Sequence, residues 1–170
     1  MSFVTVAGLQ NTGVDFSYAS NELPVIGCAD TGLQQNCNFV VTNSADETDS
    51  LMQKKHDCTV VATRTAFARY IWHDQIECYP VIHDLVQHDF DAESASLQQL
   101  ALALACHMGS PTIYLVGYQL DTEVETPFLH NILRLYPRTK FAFIRKPNPQ
   151  KINIFNEHNN MVIEDSTVFK

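Results

Sequence analysis

The sequence lacks the short motifs by which many nucleotide-dependent enzymes are recognised. It has six glycines in 170 residues, and none of them forms G-x-G-x-x-G or G-x-x-x-x-G-K-[ST], which excludes a dinucleotide fingerprint and a P-loop. G-x-S-x-G and H-E-x-x-H are absent as well. A dehydrogenase or methyltransferase of the usual kind is therefore disfavoured.

Basic residues are scarce. Eleven Lys and Arg face nineteen Asp and Glu, which gives a net charge of -8 and a pI near 5.2. This balance disfavours general binding to nucleic acid or to anionic membranes. Six of the eleven basic residues nevertheless lie between Arg134 and Lys151, a stretch without Asp or Glu. They could bind a phosphate or an acidic partner, complement the acidic stretch from Asp74 to Glu93, or form a solvated face.

Long apolar runs and paired cysteines are also missing. No run approaches the roughly 18 residues that a membrane-spanning helix needs, and the start MSFVTVAG has no basic region of a signal peptide. The five cysteines form no C-x-x-C pair, which is typical of reduced thiols. We therefore expect a cytoplasmic location.

Metal-binding patterns are weak. His83, His88 and Cys78 have no ligand spacing, so no metal is predicted. Asp89 and Asp91 form a D-x-D that could chelate a divalent cation, or could form an acidic loop before the positive end of the following helix. We favour the second interpretation.

Short β-branched runs alternate with helical segments along one predicted domain, residues 1–170. Several of these runs are continuously apolar, as in parallel strands that are covered on both faces. The pattern predicts a three-layer α/β fold with a mostly parallel sheet of six or seven strands and helices on both faces. The predicted strands are Phe3–Ala7, Pro24–Cys28, Asn38–Thr42, Cys58–Thr63, Cys78–Ile82, Thr112–Gly117 and Lys140–Ile144.

The clearest helix is predicted from Ser94 to Met108. Its apolar residues recur at helical spacing on more than one face, which predicts deep burial, and Ser94 or Ser96 can cap its start. Residues 152–155 and 161–163 could add edge strands or a hairpin in the tail, 150–170. Further helices are predicted over Ser44–Lys55, Thr65–Trp72 and Thr126–Leu135.

Polar residues follow the predicted strands. In parallel α/β sheets the ligand crevice lies outside the carboxyl ends of the strands, so these residues are candidates for binding a nucleotide or sugar. Turns also favour the same residue types for backbone reasons, and that alternative stays open. The candidates are Gly8, Asn11, Thr12, Gly13, Asp30, Thr31, Asn43, Ser44, Gly117 and Gln119. As general bases we consider His130, on the Thr126 helix, and His83, after the fifth strand.

Three segments together resemble a known family. LALALACHMGSPTIYLVGYQLD, PVIGCADTGLQQNCNFVVTNSADE and FLHNILRLYPRTKFAFIRKPNP are similar to segments of bacterial sialyltransferases of the lipooligosaccharide type and of related flagellin-glycosylation and hydroxymethylpterin diphosphokinase-like proteins. The resemblance implies a Rossmann-like domain that binds a nucleotide at the strand ends. It implies contacts in the turn from Gly8 to Gly13, at Asp30, Thr31 and Asn43, after Gly117, and at the late turn with Pro147 and Asn148.

The chain also departs from that family. GLQNTG lacks the Pro-Ser of the family's first turn, and Gln119 stands where the family has an acidic residue. Only Asp121 to Glu125 join that turn to the next helix, where the sialyltransferases insert a lid with their catalytic histidine. The chain could thus keep a pocket without the chemistry.

Two functions remain open at this stage. The first is a protein of glycosyltransferase ancestry that binds a nucleotide or nucleotide sugar and, if it is active, acts as a glycosyl- or phosphoryl-transferase. The alternative is a non-catalytic assembly or regulatory protein that uses a degenerate form of the fold. No cofactor is required in either case, a small-molecule nucleotide is the expected ligand, and a homo-oligomer is compatible with both.

Overall fold

A computed structural model of the chain describes residues 4–7, 24–29, 37–54, 56–119, 123, 125–145 and 157–165. Eight strands form one sheet in the order β5-β4-β3-β2-β1-β6-β7-β8, and every neighbouring pair is parallel. The strands are β1 (Val4–Ala7), β2 (Val25–Cys28), β3 (Phe39–Thr42), β4 (Thr59–Ala62), β5 (Ile76–Cys78), β6 (Thr112–Val116), β7 (Lys140–Arg145) and β8 (Met161–Asp165).

The order of the strands reverses at β1. From β1 the chain builds outward through β2, β3 and β4 to β5 at one edge, and it then crosses back to place β6 on the other side of β1. β7 and β8 complete that second half. The predicted α/β class with a parallel sheet is confirmed, and the described residues contain eight strands rather than six or seven.

Helices cover both faces of the sheet, as the sequence predicts. Buried residues of α1 and α2 pack in one core with residues of β3 and β4, whereas α3, α4 and α5 contribute to the core on the other face. The helices are α1 (Ala45–Gln53), α2 (Arg64–Phe67), α3 (His83–Val86), α4 (Leu97–His107) and α5 (Glu125–Leu135).

The central helix is α4, which packs against β1, β2 and β3. Every residue from Leu97 to Cys106 is buried, because apolar residues occupy every face of the helix beyond its first turn, while Gln98 and Gln99 in that turn form hydrogen bonds. A capping box fixes its start: the Ser96 hydroxyl accepts from the Gln99 N–H, and the Gln99 side chain accepts from the Ser96 N–H. Gly109 follows the helix with φ of +73°, a conformation that favours glycine.

The fifth strand differs from the prediction. It was expected over Cys78–Ile82 but runs over Ile76–Cys78, and α3 begins at His83. Pro80 has no N–H to donate to a neighbouring strand, so the apolar residues after Cys78 cannot continue the strand. Their role is different: Tyr79 and Ile82 are buried in the core beneath α4.

Other elements also differ in extent from the prediction. The helix expected over Thr65–Trp72 is the single turn α2, after which Arg69 and Tyr70 both contact Asp49 of α1. In the tail, β8 pairs in parallel with β7 and is the last strand at that side of the described sheet, so it is an edge strand. The other expected tail segment, 152–155, lies outside the described residues. Where the chain is described, no helix is both long and apolar enough to cross a membrane.

All five cysteines are free thiols, in agreement with the interpretation from their spacing. Four of them are buried, including Cys37, whereas Cys78 is exposed on β5. Burial, together with the nearby Cys58, raises the pKa of Cys37 to about 12. A thiol with so high a pKa stays protonated at neutral pH and behaves as a small apolar side chain.

Candidate functional site

The strands β3, β2, β1 and β6 are neighbours, and their carboxyl ends therefore share one edge of the sheet. Because the strand order reverses at β1, this edge is where an open α/β sheet is expected to hold a ligand. The first residues of α4 lie at the same edge. They contact the exits of both β3 and β6, which are three strand spacings, or roughly 14 Å, apart.

The exit of β3 is joined to the start of α4 through Asn43. The Asn43 amide Nδ2 donates to the carbonyl oxygen of Ala95 at 3.0 Å. The next residue, Ser44, is the N-cap of α1, and its hydroxyl accepts from the Glu47 N–H at 3.1 Å. Both candidates thus lie at the predicted edge, and Ser44 also has the local capping role that favours serine at such a position.

The exit of β6 is joined to the same helix start. Gly117 has φ of +64°, which directs the chain away from β6 in a conformation that a larger residue would adopt only with strain. The N–H of Gln119 then donates to the Gln98 side-chain oxygen at 2.8 Å. Asn43 and Gln119, which are 76 positions apart in the sequence, therefore both contact one short segment, Ala95 to Gln98, where α4 starts.

A buried glutamate completes this cluster. Glu125 is the first residue of α5 and is 5% exposed. Its Oε1 accepts from the Ser96 hydroxyl at 2.5 Å, and its Oε2 accepts from the Tyr118 hydroxyl at 3.2 Å. Burial, with the Glu125 charge as a second cause, raises the pKa of Tyr118 well above its usual value. Tyr118 is therefore a persistent hydrogen-bond donor.

We call these residues, Asn43, Ser96, Gln98, Tyr118, Gln119 and Glu125, the switch-point cluster. Only Asn43 and Gln119 of this group were among the predicted binding residues. Ser96 was predicted only as an alternative cap for α4, and Glu125 only as part of a connecting segment. The sequence signal for Ser96 is the S-x-x-Q pattern of its capping box; nothing in the sequence signals that Glu125 would be buried against it.

The remaining binding candidates lie outside the described residues. Nothing in the structure bears on the contacts expected of them, and those contacts stay predictions. They are Gly8, Asn11, Thr12, Gly13, Asp30, Thr31, Pro147 and Asn148.

His130 is located on α5 but on a different side of the helix from Glu125. Five residues separate the two, which corresponds to about 140° around the helix and roughly 7 Å along it. The His130 Nδ1 lies 2.8 Å from Nε2 of His158, in the turn before β8. The ring therefore contacts the turn before β8.

His83 is exposed in the first turn of α3. The adjacent Asp84 is close enough to Tyr136, just after the end of α5, to contribute to the raised pKa of that tyrosine. Glu125 lies at the opposite end of α5, which is 11 residues long, or about 16 Å. The structure thus brings neither histidine to the cluster, and the base roles assigned to them stay predictions.

The D-x-D residues line a different feature. Asp89 and Asp91 border a cavity of about 200 Å³ between α3, the start of α4 and α5, together with Phe90 and Phe128. Both Asp91 oxygens are engaged locally, with the Glu93 N–H at 3.0 Å and the Ser94 hydroxyl at 3.2 Å. This geometry matches an acidic turn before the helix. Among the described residues no group of three His, Cys, Asp or Glu is arranged to hold a metal ion.

Comparisons with known proteins identify the fold. Neither a scan of protein-family models nor a search of curated proteins found a match. A search of solved structures found the sialyltransferase CstII from Campylobacter jejuni, in a structure determined in complex with the substrate analogue cytidine-5'-monophosphate. The TM-score is 0.55 with 13% identity, over 89% of this chain and 82% of that one. The chain thus has the Rossmann-like fold of sialyltransferase CstII, and the resemblance inferred from its sequence is confirmed at the level of the fold.

Proposed function

We propose that this protein binds a nucleotide or nucleotide sugar at the switch-point cluster. The observation that carries the proposal is the position of the α4 start, which hydrogen bonds through Ala95 and Gln98 to the exits of β3 and β6. Polar groups from four segments of the chain converge there, at the edge where parallel α/β sheets hold their ligands.

The likeness to CstII supports the same choice. That protein was solved with a cytidine nucleotide, and the two chains share a fold over most of their length. We infer a ligand of the same class for this chain because the half-buried Asn43, Ser96 and Gln119 carry amide and hydroxyl groups, which suit a base and the hydroxyls of a sugar. The free thiols fit the cytoplasmic location that we propose with it.

The described residues support binding more directly than catalysis. A glycosyl- or phosphoryl-transferase needs a group that can take a proton from the attacking hydroxyl, and His130 contacts His158 while His83 lies near the far end of α5. The carboxylate of Glu125 lies in the cluster, but its two oxygens already accept from Ser96 and Tyr118. Nucleotide binding is therefore the proposal that these contacts support, and transfer activity is a further proposal beyond it.

One observation limits how a nucleotide could be oriented at this cluster. The partial positive charge at the start of a helix attracts phosphate groups, but the Glu125 carboxylate bonds directly to the N-cap residue of α4. A phosphate at that point would be repelled by the carboxylate. A ligand would have to direct its sugar or base, rather than its phosphate, toward Ser96.

Thermal unfolding with added nucleotide tests the proposal. Because a ligand that binds only the folded state stabilises it by about 2.7 kcal/mol at one hundred times its Kd, cytidine-5'-monophosphate or a cytidine nucleotide sugar should raise the midpoint by several degrees. We expect Asn43→Ala to remove most of this rise. The matched control is Asn159→Ala, an exposed residue in the turn before β8, which should keep the full rise.

Asn43→Ala should also lower the midpoint of the free protein, because it removes the bond to Ala95, worth about 1 kcal/mol. Each ligand effect is therefore measured against the same variant without ligand. An equal rise in both variants would show that nucleotide binds elsewhere. No rise with any nucleotide at millimolar concentration would refute the proposed function.

A further inference from the structure

The segments on either side of β5 in the sequence are rich in exposed apolar side chains. Among the described residues five large hydrophobic side chains are exposed, and four of them lie between residues 71 and 86. Trp72 is 91% exposed, just before β5, and Val81 is 65% exposed, just after it. Solvent exposure of a whole tryptophan is unusual, and clustered exposed apolar residues mark interaction sites more often than isolated ones do.

Among the described strands β5 is an edge strand, and of its outward backbone groups the Ile76 N–H donates to the carbonyl oxygen of His73 at 3.2 Å. The Val60 N–H donates to Gln75 and the Tyr79 N–H donates to Ala62, so the odd-numbered residues 75, 77 and 79 bond to β4. In a parallel ladder the residues between them direct their N–H and C=O groups to the other side. The N–H and C=O of Cys78 therefore point away from β4, toward the space where a further strand would lie.

Acidic residues predominate in and after β5, while the basic Arg64 and Arg69 lie in and just after α2, which packs against β5. The sequence has no Lys or Arg between residues 70 and 133, whereas six acidic residues fall between Asp74 and Glu93. Glu77 lies in the middle of β5, and it is exposed, as is Asp74 just before the strand. A partner that pairs with β5 therefore gains from positive charge.

Among the described basic residues, Arg69 pairs with Asp49 of α1, and those of β7 lie far from β5. β7, which begins at Lys140, lies six strands from β5, or roughly 29 Å away. The Lys140 side chain pairs instead with Glu164 on the neighbouring β8. A second copy joined by twofold pairing of two β5 edges would bring Glu77 close to its own counterpart, and like charges across a strand pair are unfavourable.

We propose that the β5 edge is a docking site for an extended, Lys- or Arg-bearing segment of another protein, which adds to the sheet as a ninth strand. The main-chain groups of Cys78 supply the pairing, Trp72 and Val81 give apolar contacts at the two ends, and Glu77 and Asp74 select for basic side chains. This is strand addition of the kind by which several domains bind extended peptides. The surface is distinct from the switch-point cluster, which lies at the exits of β3 and β6.

Peptide binding to the full chain tests the proposal. The probe is a nonapeptide of alternating valine and lysine, and its control has the same charge but a central proline, which cannot pair as a strand. We expect the probe to bind and the proline peptide to bind at least tenfold more weakly. Cys78→Pro removes one outward N–H and should weaken the probe at least tenfold, and Glu77→Lys should do the same through charge.

Ile163→Pro is the matched control. Phe141 on β7 bonds to Asn160, and Ile163 stands opposite Phe143, so the Ile163 N–H also points outward, but from β8 at the other edge. Ile163→Pro should bind the probe like the wild type. Trp72→Ser leaves every backbone bond intact and should weaken binding even if Cys78→Pro does not fold.

Three results would overturn the proposal. The first is equal binding of the probe to wild type, Cys78→Pro and Trp72→Ser, since attraction by net charge alone would then explain it. The second is no binding of the probe at millimolar concentration in low salt. The third is concentration-dependent association of the wild type that Cys78→Pro abolishes, because the occupant of the edge would then be a second copy of this chain.

Discussion

Glu125→Ala is expected to destabilise the fold by about 3 kcal/mol or more. The substitution removes the acceptor of the Tyr118 hydroxyl, and Tyr118 is 1% exposed, so its hydroxyl would remain buried without that bond. An unsatisfied buried group of this kind costs about 1–3 kcal/mol. The lost bond to Ser96 and the space left by the side chain add to this cost. Urea unfolding followed by circular dichroism measures the change.

The variants around Glu125 separate its possible roles. Glu125→Gln keeps an acceptor oxygen and the side-chain volume, so it should lose only about 1 kcal/mol. Glu123→Ala removes an exposed glutamate two residues earlier and should change stability by no more than about 0.5 kcal/mol. Equal stability of Glu125→Ala and Glu123→Ala would show that the contacts of Glu125 do not hold α4, α5 and the exit of β6 together.

The fold was predictable because its signals are local. The parallel sheet follows from short runs of β-branched residues, since Val40–Val41 and Val60–Val61 have no polar alternation and are buried on both faces. The extent of α4 follows from its apolar residues and its S-x-x-Q cap. β5 was misplaced because CYPVI is apolar, and apolar character alone does not distinguish a strand from a buried irregular segment.

The site was only partly predictable, because its bonds join residues that are distant in sequence. Asn43 could be found from its place after a strand, but its partner is the carbonyl of Ala95, 52 positions further on. Ser96 and Glu125 are separated by 29 positions. Nothing in the sequence distinguishes Glu125 from the other acidic residues of the chain. Burial of a carboxylate depends on the partners that the fold supplies, and no pattern along the chain specifies those partners.

The protein is expected to lose stability in alkaline solution. Its unfolding should begin at a lower pH than it would if only exposed tyrosines lost their protons. Burial raises the pKa of the Cys106 thiol and of the phenols of Tyr79 and Tyr118, and it raises that of Cys37 to about 12. In the unfolded chain thiols lose their protons near pH 8.5 and phenols near pH 10. Above those values the folded state binds more protons than the unfolded state, so the free energy of unfolding falls as pH rises.

The size of this effect follows from the number of groups. Each contributes up to about 1.4 kcal/mol per pH unit above its unfolded pKa, so at pH 11 the two thiols and two phenols together remove up to roughly 10 kcal/mol. That is comparable with the whole stability of many domains. Urea unfolding from pH 8 to pH 11 under reducing conditions measures the loss, and tyrosinate absorbance of Tyr79 and Tyr118 should rise only with unfolding.

Two cysteines, one buried and one exposed, provide the control for the alkaline prediction. Cys37 is buried and Cys78 is exposed, so Cys37→Ala should flatten the dependence of stability on pH, whereas Cys78→Ala should leave it as in the wild type. The flattening should begin near pH 9, where the unfolded thiol ionises and the folded one does not. If both variants lose stability with pH as steeply as the wild type, burial of Cys37 does not drive the alkaline loss, and Cys106 and the phenols must account for it.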